Sequence, residues 1–332
     1  MYQGFKLNNK FIKGLDNYSK TSKPVVATIG TFDGIHRGHQ KILSKLAEKA
    51  KEMNATPLLI TFHPHPRVLV SPSEIPLLLT TIEEKGKFIP DFFSGDVLIL
   101  TFDETLKDLS YEEFVKNILV DKIGIVQLVV GYDHALGKDR KGSIEQLTKS
   151  GKLFSFGVDV IEPVLVDEKP VSSSRIRKEM LKNQFFNAID LLGHDYAIYG
   201  IVERGIGLGR KLGYPTANLN YNNRKLLPPE GVYACKVWIG SDLEEGMMFI
   251  GRNHFNPEKK ISVEAHLFNF DRDIYDEEIT VYPTHFVREN MKFDSKDELI
   301  EQLVKDENNI KEIIKKEKEN GNWQGAKSSN YC

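Results

Sequence analysis

The chain has little cysteine, with Cys235 and Cys332 far apart and outside any CxxC spacing. This argues against a disulfide framework and indicates free thiols in a reducing compartment, so we expect a cytoplasmic protein. Residues 1–14 contain no apolar core of a signal peptide, and no run approaches the ~18 apolar residues of a membrane span. An excess of positive charge is missing too. The formal net charge is -2 and no long basic stripe is present, which gives no support for a nucleic-acid or anionic-membrane partner.

What the sequence does have is the composition of an ordinary globular protein, with 40% apolar and 28% charged residues. A length of 332 residues exceeds that of a typical single domain and predicts two. A chain of this length can bury a large core, so neither a disulfide nor a metal is needed to explain folding.

Strands and helices alternate in the first half of the chain. We predict strands at 24–30, 56–62, 95–102, 126–133 and 158–164, and helices at 39–53 and 110–123. The apolar face of the first helix contains Ile42, Leu43, Leu46, Ala47 and Ala50. The alternation is typical of βαβ units and predicts a mostly parallel sheet.

The alternation of strands and helices ends after about residue 185. Strands are predicted at 231–240, 246–251, 261–270 and 278–288, joined by turns, which is typical of an antiparallel sheet or barrel. A last helix is predicted after Ser295, which has capping-box spacing to Glu298. We place the domain boundary near the end of a predicted helix at 175–192, giving domains 1–190 and 191–332.

The stretch GTFDGIHRGHQKIL (30–43) lies where a predicted strand turns into a helix. Ligands bind at such turns in open α/β sheets, and the first N–H groups of the helix favour an anion. His36 and His39 could donate hydrogen bonds to phosphate oxygens there, and Gly34 and Gly38 would let the backbone approach closely. The segment VSSSRIRKEM (171–180) offers hydroxyls and an arginine at a second helix start, although by itself it also fits a simple helix cap.

In the second half, GIVERGIGLGRKLGYPTANL (200–219) is glycine-rich but matches neither GxxxxGK[ST] nor GxGxxG. Thr216 and Asn218 are hard oxygen ligands that suit Mg²⁺ on ATP phosphates, and the alternative is a plain glycine-rich hairpin. Period two places Glu264, His266 and Phe268 on one face of a strand. Glu264 could accept a proton from an attacking hydroxyl, or could simply face solvent.

The HxGH spacing resembles the nucleotidyltransferase superfamily, which includes class I aminoacyl-tRNA synthetases. Together with TFHPHP (61–66), GYDHALGKDRKG (131–142) and SSSRIR, it resembles the adenylyltransferase module of the bacterial bifunctional riboflavin kinase/FAD synthetase family. This resemblance implies transfer of AMP from ATP to FMN, with His36, His39 and Arg177 as the catalytic residues. It further implies ATP contacts from Gly30, Phe32, Asp33, His36, Gly38, His39, Ser172, Ser173 and Arg177, and flavin contacts from Phe62 and Asp133.

GRKLGYPTANL, LLPPEGVYA (226–234), VEAHLFNFDRDIY (263–275) and FVRENMKFDS (286–295) resemble the riboflavin kinase module of the same family. The fold implied is an α/β Rossmann-like nucleotidyltransferase domain followed by a small antiparallel β-barrel domain with a C-terminal helix. The resemblance implies Glu264 as general base, Thr216 and Asn218 as Mg²⁺ ligands, and flavin contacts from Glu264 and Arg288. It implies ATP contacts from Gly209, Arg210, Lys211, Pro215, Thr216 and Asn218.

Three stretches depart from the family pattern. They are His134–Gly137 in place of an aromatic run, FIGRNHFNPEKK (249–260) in the kinase module, and Tyr275-Asp276-Glu277 in place of Tyr-Gly-Lys. A monofunctional FAD synthetase with a degenerate barrel, and a flavin-binding or regulatory protein, are therefore the alternatives to a bifunctional enzyme. A tRNA synthetase is disfavoured because no KMSKS-like lysine pair is present. We expect only small-molecule partners, namely riboflavin, FMN and ATP with Mg²⁺, and a monomer or weak homo-oligomer.

Overall fold

The computed structural model describes residues 9–134, 142–205, 207–252, 261–321 and 323. The chain divides into two compact units, Met1–Ser173 and Ser174–Cys332. No helix in the described ranges combines the length and apolarity needed to cross a bilayer.

The first unit is built on a six-stranded parallel sheet. Its strands are β1 (Phe11–Lys13), β2 (Val25–Ile29), β3 (Thr56–His63), β4 (Asp96–Thr101), β5 (Ile125–Gly131) and β6 (Gly157–Ile161). They lie in the order β1-β4-β3-β2-β5-β6, and every ladder between them is parallel. β2 is buried along its whole length, as expected of an interior strand covered on both faces. The predicted parallel α/β fold is confirmed.

Helices surround this sheet. They are α1 (Arg37–Glu52), α2 (Arg67–Val70), α3 (Ile82–Phe92), α4 (Glu104–Asp108), α5 (Tyr111–Glu113) running into a π-helical segment (Phe114–Ile123), and α6 (Ile144–Phe154). Short 3-10 turns occur at Leu15–Asn17 and Pro72–Glu74, and β7 (Leu165–Val166) pairs with β8 (Lys169–Pro170). α1 buries Leu43, Leu46 and Ala50. Ala47, predicted on that face, is exposed because it lies at the edge of the apolar stripe.

The second unit contains a closed antiparallel barrel with strand order β10-β13-β12-β11-β14-β9. The strands are β9 (Ile198–Glu203), β10 (Ala217–Tyr221), β11 (Gly231–Ile239), β12 (Asp242–Gly251), β13 (Ser262–Leu267) and β14 (Glu278–Arg288). Its helices are α7 (Ser173–Leu181, whose first residue belongs to the first unit), α8 (Phe185–Leu192), α9 (Leu208–Lys211) and α10 (Lys296–Glu319). The predicted barrel and C-terminal helix are confirmed, and Ser295 caps α10 by accepting from the Glu298 N–H at 3.2 Å.

The helix predicted at 175–192 is two helices, α7 and α8. The break has a local cause, because Asn183 adopts a left-handed φ of 60° after the last turn of α7. The N–H of Gln184 reaches the Glu179 carbonyl at 2.9 Å and that of Asn183 reaches Met180 at 3.1 Å, the pattern of a Schellman cap. The boundary predicted after residue 190 falls inside α8, and the two compact units meet at Ser173 and Ser174; the bounds of the functional domains stay a prediction.

One side of the barrel is covered by α10. Ile310 and Ile314 of this helix are buried against a cluster that includes Val232, Ala234 and Met247. Burial of this apolar face fixes the helix on β11 and β12, and so places its first turns beside the barrel cavity described below.

Candidate active sites

The turn between β2 and α1 has an unusual backbone. Phe32, Gly34 and Ile35 have φ values of 46°, 88° and 43°, and both side-chain-bearing residues are buried. The left-handed region is rarely adopted by a β-branched residue such as Ile35, and strain of this kind is concentrated at functional sites. The result of this tight turn is that His36 becomes the N-cap of α1.

The two predicted imidazoles lie together at this helix start. The rings of His36 and His39 stack with centroids 3.6 Å apart and 17° between their planes. The backbone N–H of His39 donates to His36 Nδ1 at 3.4 Å. Burial, then His36 and Lys85, hold the pKa of His39 well below its ordinary value. His39 is therefore a neutral imidazole at neutral pH. Its Nδ1 atom is buried and has no hydrogen-bond partner among the described residues.

Asp33 organises the turn from inside. Its side chain is 1% exposed, and Oδ1 accepts the Thr80 N–H at 2.8 Å. The Asp33 carbonyl accepts from the Ser173 hydroxyl at 2.8 Å, which brings one of the predicted serines to this turn. Gly38 packs closely against the first histidine, since a Cβ there would lie 3.2 Å from the His36 ring.

The other residues predicted for this site are less closely grouped. Phe62 is the second-last residue of β3 and packs edge-on against Phe102, with ring centroids 5.7 Å apart, and Asp133 lies just beyond the carboxyl end of β5. Arg177 is on α7 in the second unit, so its predicted contact with ATP phosphates stays a prediction. Residues 135–137 and 253–260, where the sequence departs from the family pattern, lie outside the described residues.

In the second unit, Glu264 is held by two hydroxyl groups. Thr216 Oγ1 donates to Glu264 Oε2 at 3.2 Å, and Ser262 Oγ donates to Oε1 at 3.2 Å. Asn218 on β10 lies opposite Glu264 on β13 in the antiparallel ladder, which brings all three predicted residues to one place. Glu264 is half-buried, and the alternative of a solvent-facing carboxylate on an edge strand does not apply in a closed barrel.

A cavity of about 230 Å³ opens beside Glu264. Its walls are mainly apolar, and α10 contributes to them. Arg288, predicted to contact flavin, lines it and forms a bidentate ion pair with Asp306 of α10, with N–O distances of 2.7–3.0 Å. Sequence reasoning missed Asp306, because nothing in a local pattern pairs it with a strand residue 18 positions earlier.

A second cavity of about 430 Å³ also has Thr216 in its lining. Arg210, Pro215 and Tyr275 line it, and Thr216 lines both cavities. The glycine loop packs tightly beside the first cavity, where a Cβ on Gly209 would lie 2.2 Å from the Tyr214 carbonyl oxygen. Lys211 ends α9 and is exposed.

The donor set of Thr216 and Asn218 fits a magnesium ion that is shared with a nucleotide. Asn218 Nδ2 donates to the Thr216 carbonyl at 3.4 Å, so the amide nitrogen is engaged and the amide oxygen is the atom that could ligate a cation. Mg²⁺ commonly takes one or two protein oxygens and completes its shell with phosphates and water. In the described part of the chain, no group of three or more His, Cys, Asp or Glu side chains forms a protein-only metal cage.

Comparisons with known proteins agree with two separate sites. A family model described as FAD synthetase matches residues 18–175, and one described as riboflavin kinase matches residues 192–314. A protein of Buchnera aphidicola subsp. Schizaphis graminum is 38% identical over 92% of this chain and 98% of its own length. One of Pseudomonas fluorescens is 36% identical over 86% of this chain and 92% of its own length. Both are described as bifunctional riboflavin kinase/FMN adenylyltransferase.

A solved structure has the same fold over most of the chain. It is described as a macrolide-efflux protein from Streptococcus pneumoniae, with a TM-score of 0.77, 30% identity, and coverage of 90% of this chain and 97% of that one. An α/β unit with an imidazole pair at a helix start, followed by a barrel with a hydroxyl-held carboxylate, defines a two-site transferase. The chain belongs to the bifunctional riboflavin kinase/FMN adenylyltransferase family, and it makes FAD from riboflavin through those two activities.

Proposed function

We propose that the first unit transfers AMP from ATP to FMN at the turn between β2 and α1. The observation that carries this assignment is the stacked pair of His36 and His39 at the start of α1, where N–H groups and the helix dipole favour an anion. An FMN phosphate oxygen forms a bond to the α-phosphorus of ATP. The bond from that phosphorus to the bridging oxygen breaks, and pyrophosphate leaves with the electron pair.

The two imidazoles stabilise the charge that develops on this leaving group. His39 is held neutral, so it acts as a hydrogen-bond donor to the phosphates and not as a fixed cation. The buried Nδ1 atom without a partner supports this role, because a buried polar atom is costly until it is hydrogen-bonded. We assign the remaining ATP contacts to Gly30, Phe32, Asp33, Gly38, Ser172, Ser173 and Arg177, and flavin contacts to Phe62 and Asp133.

For the second unit, we propose phosphorylation of the riboflavin 5′-hydroxyl by the γ-phosphate of ATP. Glu264 takes the hydroxyl proton while the oxygen bonds to the γ-phosphorus and ADP leaves. The mainly apolar cavity suits the flavin ring, with Arg288 on its wall. Gly209 and Asn218, which we assign to ATP and Mg²⁺, line this cavity as well, and Arg210 and Pro215 line the second cavity, which has room for the rest of the nucleotide. Thr216 lines both cavities, which supports phosphoryl transfer at that residue.

The ATP contacts that we assign to the kinase are Gly209, Arg210, Lys211, Pro215, Thr216 and Asn218. We assign Mg²⁺ to Thr216 and Asn218, where it would neutralise phosphate charge. We further propose that the enzyme is cytoplasmic, which agrees with the buried free thiol of Cys235, and that it is a monomer or weak homo-oligomer whose partners are small molecules.

A chromatographic time course with riboflavin, ATP and Mg²⁺ tests both activities. FMN should rise first and then give way to FAD. If riboflavin persists while added FMN is converted to FAD, the barrel is a degenerate kinase. If added FMN gives no FAD, the assignment of adenylyl transfer is wrong.

A further inference from the structure

The start of α3 and the two residues before it bury polar and charged groups that the proposed reaction does not use. Thr80, Thr81 and Glu84 are 3%, 1% and 0% exposed, and Lys85 is 6% exposed. Burial of an ammonium group is costly unless it is hydrogen-bonded, so these side chains need a compensating role. Thr81 and Glu84 form a capping box, which accounts for that pair as the start of the helix.

Thr80 and Lys85 instead bind the turn that carries the histidines. The Thr80 N–H donates to Asp33 Oδ1 at 2.8 Å, and the Thr80 hydroxyl accepts the Gly34 N–H. Lys85 Nζ donates to the Thr31 carbonyl at 2.6 Å. Three hydrogen bonds from one helix start therefore converge on four consecutive residues, Thr31–Gly34.

The backbone of the turn between β2 and α1 is strained, so the hydrogen bonds from Thr80 and Lys85 are needed to hold it. A left-handed conformation costs a residue with a side chain roughly 1–2 kcal/mol, and both Phe32 and Ile35 adopt it. Backbone strain persists only where the surroundings over-determine it. The Lys85 charge also reaches the imidazole pair, since it is one of the causes that lower the pKa of His39.

We propose that Thr80 and Lys85 are positioning residues for adenylyl transfer, holding Thr31–Gly34 in the conformation that presents His36 and His39 to the triphosphate. Lys85 in addition supplies a buried positive charge beside the imidazole pair. This inference rests on the proposed role of the histidines. It explains why a lysine is buried in an α/β unit at the carboxyl ends of its strands, where phosphate charge is to be bound.

The test compares Lys85→Met with Lys85→Arg, and Thr80→Val with Thr80→Ser, in the full chain. Conversion of FMN to FAD and conversion of riboflavin to FMN are measured separately, so that the kinase reports on folding. A misplaced catalytic group can cost about 100-fold, so K85M should lower the kcat for FAD formation by about that factor. T80V should lower it about tenfold, the effect of one lost hydrogen bond.

The pattern of the kinetic constants separates positioning from general loss of structure. The KM for FMN should stay within about twofold of the parent value, because the turn Thr31–Gly34 positions the histidines that act on the triphosphate in the transition state. K85R and T80S, which keep the charge and the hydroxyl, should recover most of the activity. Riboflavin phosphorylation should be unchanged in all four variants.

Adenylyl transfer by K85M within about threefold of the parent enzyme, or equal rates for T80V and T80S, would overturn the proposal. If K85M also loses riboflavin kinase activity, that variant has unfolded, and the comparison of T80V with T80S then tests the proposal. A His36→Gln variant assayed in parallel separates failure of this inference from failure of the proposed function. Full activity of H36Q would contradict the proposed role of the histidines. An inactive H36Q beside active Thr80 and Lys85 variants would contradict only the positioning role of Thr80 and Lys85.

Discussion

Replacement of Glu264 by glutamine is the sharpest test of the kinase site. The amide has the shape of the carboxylate and can still bond to the hydroxyls of Thr216 and Ser262, each 3.2 Å from the native oxygens, by rotation of those hydroxyls. What it loses is the capacity to accept a proton. General-base catalysis contributes about 10²–10⁴-fold, so E264Q should raise the barrier to phosphoryl transfer by about 3–5 kcal/mol.

The assay follows FMN formed from riboflavin and ATP, and in a separate tube FAD formed from FMN and ATP. We expect the first rate to fall by the factor above and the second to be unchanged, because Glu264 lies in the barrel unit. Glu301→Gln, at an exposed position of α10, is the matched control and should leave both rates unchanged. FMN formation by E264Q within about threefold of the parent, or an equal loss of both rates, would refute the role of general base.

Three further predictions concern pH, an ion pair and a glycine. Because the pKa of folded His39 lies below the ordinary value of 6.5, the free energy of unfolding should fall as pH drops below 6.5, when only the unfolded imidazole takes up a proton. Urea unfolding should show a smaller pH dependence for H39Q, and an unchanged dependence would contradict the assignment. Asp306→Ala leaves the Arg288 charge uncompensated and should destabilise the second unit by about 3 kcal/mol. Both tryptophans lie in that unit, so fluorescence-detected unfolding measures the loss, and an unshifted midpoint would contradict it. Gly38→Ala should slow FAD formation about tenfold by displacing the nearby imidazole. Gly86→Ala is the control, because nothing lies within 4 Å of its new methyl group, and equal rates for the two variants would count against crowding at Gly38.

The sequence predicts the turn before α1 well because its signals are local. A buried apolar run, then glycines, then a 3.6-residue period place His36 and His39 at a strand-to-helix turn without reference to distant residues. Strand periodicity likewise places Glu264 and His266 on one face, and the structure puts both on the wall of the barrel cavity.

The residues that sequence reasoning missed depend on tertiary contacts. The start of α3 had a usable signal, the capping-box spacing of Thr81 and Glu84, but Pro90 within the helix weakens the helical pattern. No local pattern could show that Lys85 bonds to Thr31, 54 residues away, or that Asp306 pairs with Arg288. Such contacts exist only once the sheet and barrel have formed.

The two chemistries explain why one chain carries two unrelated folds. Adenylyl transfer needs the α-phosphorus of ATP exposed to an incoming phosphate with pyrophosphate held as the leaving group, whereas the kinase needs the γ-phosphorus exposed to a hydroxyl with ADP held. A site that fixes one leaving group in place covers the phosphorus that the other reaction attacks. In the proposed assignment, the parallel sheet offers a helix start with two imidazoles for the first task. In the same assignment, the barrel offers a carboxylate bonded to two hydroxyls, with two cavities that share Thr216, for the second. We therefore expect that a substitution in one site removes one activity and leaves the other intact.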